Sequence, residues 1–145
     1  MLVPSLGVDA VLSLPNEHFI ISSLATNINK DTNYNAIENS RFAFLYEKRK
    51  QDGFFYKTAY EYSAENFDPG MASLLRENHH NLYTSLSHGK YNKSKDSSHF
   101  AYRRWILLDS DLYLTTDMSR VISWCNTNTW RGQFFSGDEI SIYIN

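Results

Sequence analysis

Apolar and polar positions alternate most regularly at the end of the chain. There Ile140, Ile142 and Ile144 are separated by Ser141 and Tyr143, the period of a half-buried strand over 139–145. A short apolar run, "EHFIISSL" (17–24), predicts a buried strand, and the Asn-rich segment 27–40 predicts a long loop. Two aromatic-rich runs, 41–50 and 54–63, flank Asp52-Gly53 and predict a β-hairpin. With Asp52 and Gly53 as a two-residue loop, Gln51 would face Phe54 and Leu45 would face Tyr60.

The middle of the chain suggests a helix. Asp68-Pro69 suits a helix start, because Asp accepts from the free N–H groups of the first turn and Pro is tolerated there. Met71, Leu75, Leu82 and Leu86 fall on one face at about 100° per residue, with Leu74 beside them, and Gly89 can close the helix. A helix from Asp68 to about Ser87 follows. After a polar loop over 90–98, residues 99–110 and "LYLTT" predict two strands joined by a turn at Asp109-Ser110-Asp111. A second helix, capped by Thr116 or Asp117, would cover "MSRVISWC" with Met118, Val121 and Cys125 facing the core, followed by the turn-rich "NTNTWRG". The expected fold is α+β: one domain over residues 1–145, a mainly antiparallel sheet of about six strands, and two or three helices.

Composition narrows the class. Of the residues, 42% are apolar and 21% charged, proportions of a chain that folds, and ten Tyr with nine Phe suit half-buried strands and contact surfaces. A net charge of −2 argues against general coating of DNA. Cys125, the single cysteine, forms no internal disulfide. No basic apolar leader and no apolar run of about 18 residues occurs, so a cytoplasmic protein with no membrane association is the expectation.

Four of the five histidines, His79, His80, His88 and His99, fall between 79 and 99. On a helix His79 and His80 diverge, with His80 toward water, and His88 would interact with the free carbonyls at the helix end. The set lacks zinc spacing and one Cys is too few for a thiolate site, so neither metal nor cofactor is expected. Glycine patterns for dinucleotides or phosphate loops and a Gly-x-Ser-x-Gly elbow are also missing. Around His88 and His99 the charge is skewed: Lys90, Lys93, Lys95, Arg103 and Arg104 stand against Asp96 alone. Tyr91 and Tyr102 could stack on a base.

Arg103 and Arg104 alternate with apolar residues on both faces of their strand, and a buried one would need a carboxylate or phosphate partner; outside the core, both would stay solvated. Trp130 and Arg131, near Phe134 and Phe135, form a second candidate contact patch. Two functions follow. The first is a small soluble binding or inhibitory protein that recognises a protein partner or an anionic, nucleotide-like ligand without turnover. Its contacts would be Lys90, Tyr91, Tyr102, Arg103, Arg104, Trp130 and Arg131. The second is a metal-independent nuclease or phosphodiesterase with His88 and His99 as acid and base.

Overall fold

Period-two alternation governs nearly the whole chain. The computed structural model describes residues 5–28, 35–50, 52–67, 78–95 and 99–144. They form eight strands: β1 (Ser5–Leu14), β2 (His18–Asn27), β3 (Ser40–Lys48), β4 (Gly53–Ser63), β5 (His79–Tyr91), β6 (Phe100–Thr115), β7 (Val121–Phe134) and β8 (Glu139–Ile144). All lie in one sheet in the order β1-β2-β3-β4-β5-β6-β7-β8, and every pairing is antiparallel. β1 and β8 each have one neighbour.

The α+β expectation is overturned. Among the described residues no helical segment is longer than the 3-10 turn Pro15–Glu17, and eight strands replace about six. The expected helix over 68–87 is strand β5 from His79 onward; 68–77, with Met71, Leu74 and Leu75, lies outside the described residues. Leu82 and Leu86 share a face either way, because residues four apart align on a helix and on a strand alike. What decides is the alternation of Leu82, Thr84, Leu86 and His88 with Tyr83, Ser85 and Ser87, which fits the pleat and no helical face. The second expected helix is a turn followed by β7, whose Met118 sits at φ 55°. Cys125 consequently lies exposed on a strand. The expected turn at 109–111 is the middle of β6, which runs unbroken for 16 residues.

The hairpin over 41–63 forms, with its register moved by one residue. Leu45 lies opposite Ala59, and Phe44 opposite Tyr60. Gly53, at φ +92°, begins β4 instead of closing a two-residue turn, and the Asp52 carboxylate accepts from the Tyr91 backbone N–H on β5 at 3.4 Å. The closing strand over 139–144 forms as expected, though Ile140, Ile142 and Ile144 are exposed.

The strand order puts the ends joined by the short connections 15–17, 49–52, 92–99 and 135–138 at one end of the sheet, here the first rim. The second rim carries 116–120 and the two longest connections, 28–39 and 64–78. Irregularities concentrate on β6. An extra residue at Leu107-Leu108 lets Ile106 and Asp109 face the same side, with both leucines on the other.

Near the first rim, Gly132 on β7 lies beneath the edge-to-face pair Phe100–Trp130, whose ring centroids are 5.6 Å apart. A Cβ there would meet atoms of both rings at 2.7 Å. Gly132→Ala is expected to part the rings and cost about 1–3 kcal/mol. Urea unfolding checks this, and an unchanged midpoint would show that the rings move aside freely.

Candidate functional site: two faces of inverted polarity

Register and alternation divide the side chains into two faces. One carries Leu6, Val8 and Leu12 of β1, Ile20 and Leu24 of β2, Phe42 and Phe44 of β3, Leu82 and Leu86 of β5, and Leu112 of β6. It continues through Trp124 and Trp130 of β7 to Ile140, Ile142 and Ile144 of β8. The opposite face carries Arg41, Glu47, Lys57, Glu61, His79, Asn81, Ser85, Ser87, Arg104, Asp109, Asp111 and Arg131.

Burial is inverted relative to this polarity. The buried apolar side chains among the described residues are Ala64 and Phe67 alone, whereas Asn27, Ser63, His79, His80, Ser85, Ser87, Asn92 and Thr129 are buried. On the apolar face Leu6, Val8 and Trp124 are 60–67% exposed. β5 shows the contrast within one strand: Ser85 and Ser87 are buried while Leu82, Leu86 and His88 are exposed. All three tryptophans, Trp105, Trp124 and Trp130, lie on the apolar face.

Polar groups on the apolar face are paired, chiefly toward its ends. His18 Nδ1 lies 2.9 Å from the Tyr46 hydroxyl and 3.3 Å from that of Tyr56. His80 Nε2 donates to the Thr116 carbonyl at 2.9 Å, so in the neutral ring Nδ1 accepts from the Tyr60 hydroxyl at 2.7 Å. The indoles of Trp105 and Trp124 donate to Asn128 Oδ1 and Ser110 Oγ. The rings of Phe54 and His88 meet edge-on at 4.8 Å.

The polar face is cross-linked. Arg41 Nε donates to Glu61 at 2.9 Å, His79 Nε2 stands 4.0 Å from the same carboxylate, and Asn81 donates to Asp111. Lys57 lies over the Tyr83 ring at 5.1 Å. Arg104 donates through Nε and Nη2 to Ser87 Oγ, at 3.3 and 3.1 Å, and its guanidinium stacks on Phe55 at 4.7 Å. Toward the first rim this face hollows into a cleft of about 760 Å3, lined by strand residues from Phe55 to Arg104 and by Glu17, Arg49 and Lys50.

The residues singled out from sequence are distributed over both faces. Arg104 and Tyr102 line the cleft. Arg131 pairs with Arg104 in register, and Tyr91 with Tyr102, their rings 6.5 Å apart. Lys90 and Arg103 pair with each other on the apolar side, where Trp130 also lies. His88 lines a depression with Asp52 and Lys90, whereas His99 lines another with Lys95 and Phe135. The structure does not bring the two histidines together. His88 lies opposite Trp105, and His99 is six residues before Trp105 in sequence, a span of about 20 Å at strand rise.

Among the described residues, no group of three or more His, Cys, Asp or Glu is placed to hold a metal ion. Sequence reasoning missed Phe55, Lys57 and Ser87 around Arg104, and the Arg41–Glu61 pair. The signal was the alternation Phe55-Lys57-Ala59-Glu61, visible once 79–91 is aligned beside it as a strand.

No family model, curated protein or solved structure matches the chain.

At the second rim Asp117 closes the β6–β7 turn. It accepts from the Thr115 hydroxyl at 2.5 Å, the Ser119 hydroxyl at 2.7 Å and the Ser119 N–H at 3.1 Å. These bonds, that of Thr115 foremost, hold its pKa at about 2 against an ordinary 3.8. A depressed carboxylate contributes stability that is fully present above the ordinary value and is lost as pH falls through about 2. A carboxyl 13C titration should place the Asp117 midpoint near 2, and Thr115→Val should raise it. A midpoint near 3.8 in the unaltered chain would contradict the turn geometry.

Proposed function

We propose that this sheet is a membrane-embedded β wall, with its apolar face against lipid hydrocarbon and its polar, cleft-bearing face lining an aqueous passage. The observation that carries the reading is the inversion of burial: small polar side chains are enclosed while Leu, Val, Ile and Trp stand exposed across one face. In water, monomers usually expose an apolar patch of no more than a few hundred Å2, whereas here exposed apolar side chains run along one face from Leu6 of β1 to Ile144 of β8. In a bilayer it is the surface required, with alternating apolar and polar residues on neighbouring up-and-down strands.

Strand length fits as well. A tilted transmembrane strand needs about 9–11 residues. β1 to β7 have from 9 to 16. No helix of the described residues is long and apolar enough to cross a membrane, which does not bear on strands. Short connections at one rim and the two longest at the other match the asymmetry of such walls.

Hydrocarbon does not tolerate an open sheet edge, so the reading requires β1 and β8 to be joined by further antiparallel strands. An even number of strands in neighbour order leaves β1 and β8 running in opposite directions. A β8 beside another β1 is therefore also antiparallel, and a ring can close without a parallel step.

The anionic ligand expected from sequence is kept as a proposal for the polar face. A phosphodiesterase reading gains nothing from His88 and His99, which line separate depressions.

Refolding the chain from denaturant into phosphatidylcholine vesicles tests the wall. Trp105 and Trp124 fluorescence should be quenched by brominated acyl chains. Leu82→Arg and Leu86→Arg should each cost about 2–4 kcal/mol of stability in the bilayer. A monodisperse monomer that stays in water with unquenched tryptophans would overturn the reading, as would saturable occupation of the apolar face by a protein that excludes lipid.

A further inference from the structure

The cleft on the polar face carries an excess of positive charge. Lys48, Arg49, Lys50, Lys57 and Arg104 line it against Glu17 and Glu47. Arg49 is paired with Glu47, which removes one charge of each sign and leaves Lys48, Lys50, Lys57 and Arg104 against Glu17. Arg104 is half-buried at the centre, and its polar partner among the described residues is the neutral Ser87 hydroxyl. A guanidinium has five N–H donors in a fixed fork, and here Nε and Nη2 converge on one oxygen, which leaves Nη1 uncommitted. Phe55 backs the guanidinium plane and, with Ser87, fixes its direction.

Arg104 and Arg131 are also direct cross-strand partners. Like charges opposite each other are unfavourable, and a bound anion relieves this. Asp109 and Asp111 share the face but lie further along β6, beyond the bulge, and Asp111 is engaged by Asn81.

Building on the wall reading, we propose that Arg104, with Lys57 and Arg131, forms an anion-selective constriction that binds small oxyanions of the phosphate or carboxylate class. Arg104 supplies planar, partly desolvated donors suited to two oxygens of one anion. Lys57 and Arg131 add fields of the same sign, and together they raise the local anion concentration and exclude cations. Tyr102 lines the same cleft and brings a hydroxyl to it, whereas the Tyr83 hydroxyl is engaged by Asp109 and Ser85.

The full chain is reconstituted in a planar bilayer under a KCl gradient. The expected reversal potential has the sign of chloride selectivity, and added inorganic phosphate lowers the chloride current. Arg104→Gln should reduce the anion-to-cation permeability ratio by roughly threefold or more, as removal of a charge worth about one kT requires, and abolish the phosphate effect. Arg104→Lys should keep the selectivity and weaken the phosphate effect. Lys90→Gln and Arg103→Gln, on the other face, should change neither. A conducting but cation-selective protein, or equal ratios for the unaltered chain and Arg104→Gln, would overturn the constriction while leaving the wall intact. If no conductance develops, the wall reading fails, and calorimetric titration of the detergent-held protein with phosphate decides the anion site alone. Saturable binding lost in Arg104→Gln supports it, and no binding overturns it.

Discussion

Cohesion in this molecule rests on the ladder of backbone hydrogen bonds between neighbouring strands. The two apolar side chains buried among the described residues cannot hold eight strands together as a packed core does. In water each backbone bond contributes only about 0.5–1.5 kcal/mol net, because the unfolded groups bond to solvent instead. In hydrocarbon the same groups have no alternative partner, and leaving one unmade costs several kcal/mol. The environment that suits the apolar face is therefore the one in which the ladder is strongest.

The polar face adds cohesion of a second kind. Arg41, Glu61 and His79 tie β3, β4 and β5 together, and Asn81 with Asp111 ties β5 to β6. Such links are modest at an exposed surface, where the median ion pair is worth about 0–1 kcal/mol. Beside the buried Ser85 and Ser87 they gain from reduced screening. The bulge at Leu107-Leu108 serves both faces, since one extra residue moves two leucines to the apolar side and keeps Arg104, Ile106, Asp109 and Asp111 on the other.

Part of this was legible in the sequence. The hairpin around Gly53 and the closing strand were identified from alternation and turn chemistry, although the hairpin slipped by one residue because Asp52 reaches across to β5. The helix over β5 was misassigned for a definite reason: Leu82 and Leu86 satisfy both periods, and Ser85 and Ser87 look like a solvated helix face although both are buried. Asp109-Ser110-Asp111 reads as a turn because three polar, turn-forming residues interrupt the apolar pattern, and Cys125 reads as a core residue because Met118, Val121 and Cys125 align on a helix. Arg104 stood out, with Arg103, as a residue that would need a partner if buried, but that Ser87 and Phe55 would hold it depended on the register of β4 and β5.

The neighbour-only strand order has a kinetic meaning as well. Each strand needs only the one before it in sequence, so no pairing waits for a distant segment to return, and loop-closure entropy stays small at every step. Folds built from such local pairings form faster than those stitched from remote ones. The sheet can grow hairpin by hairpin, each newly added strand being the template for the next. Assembly thus has a direction available to it, the direction of the chain.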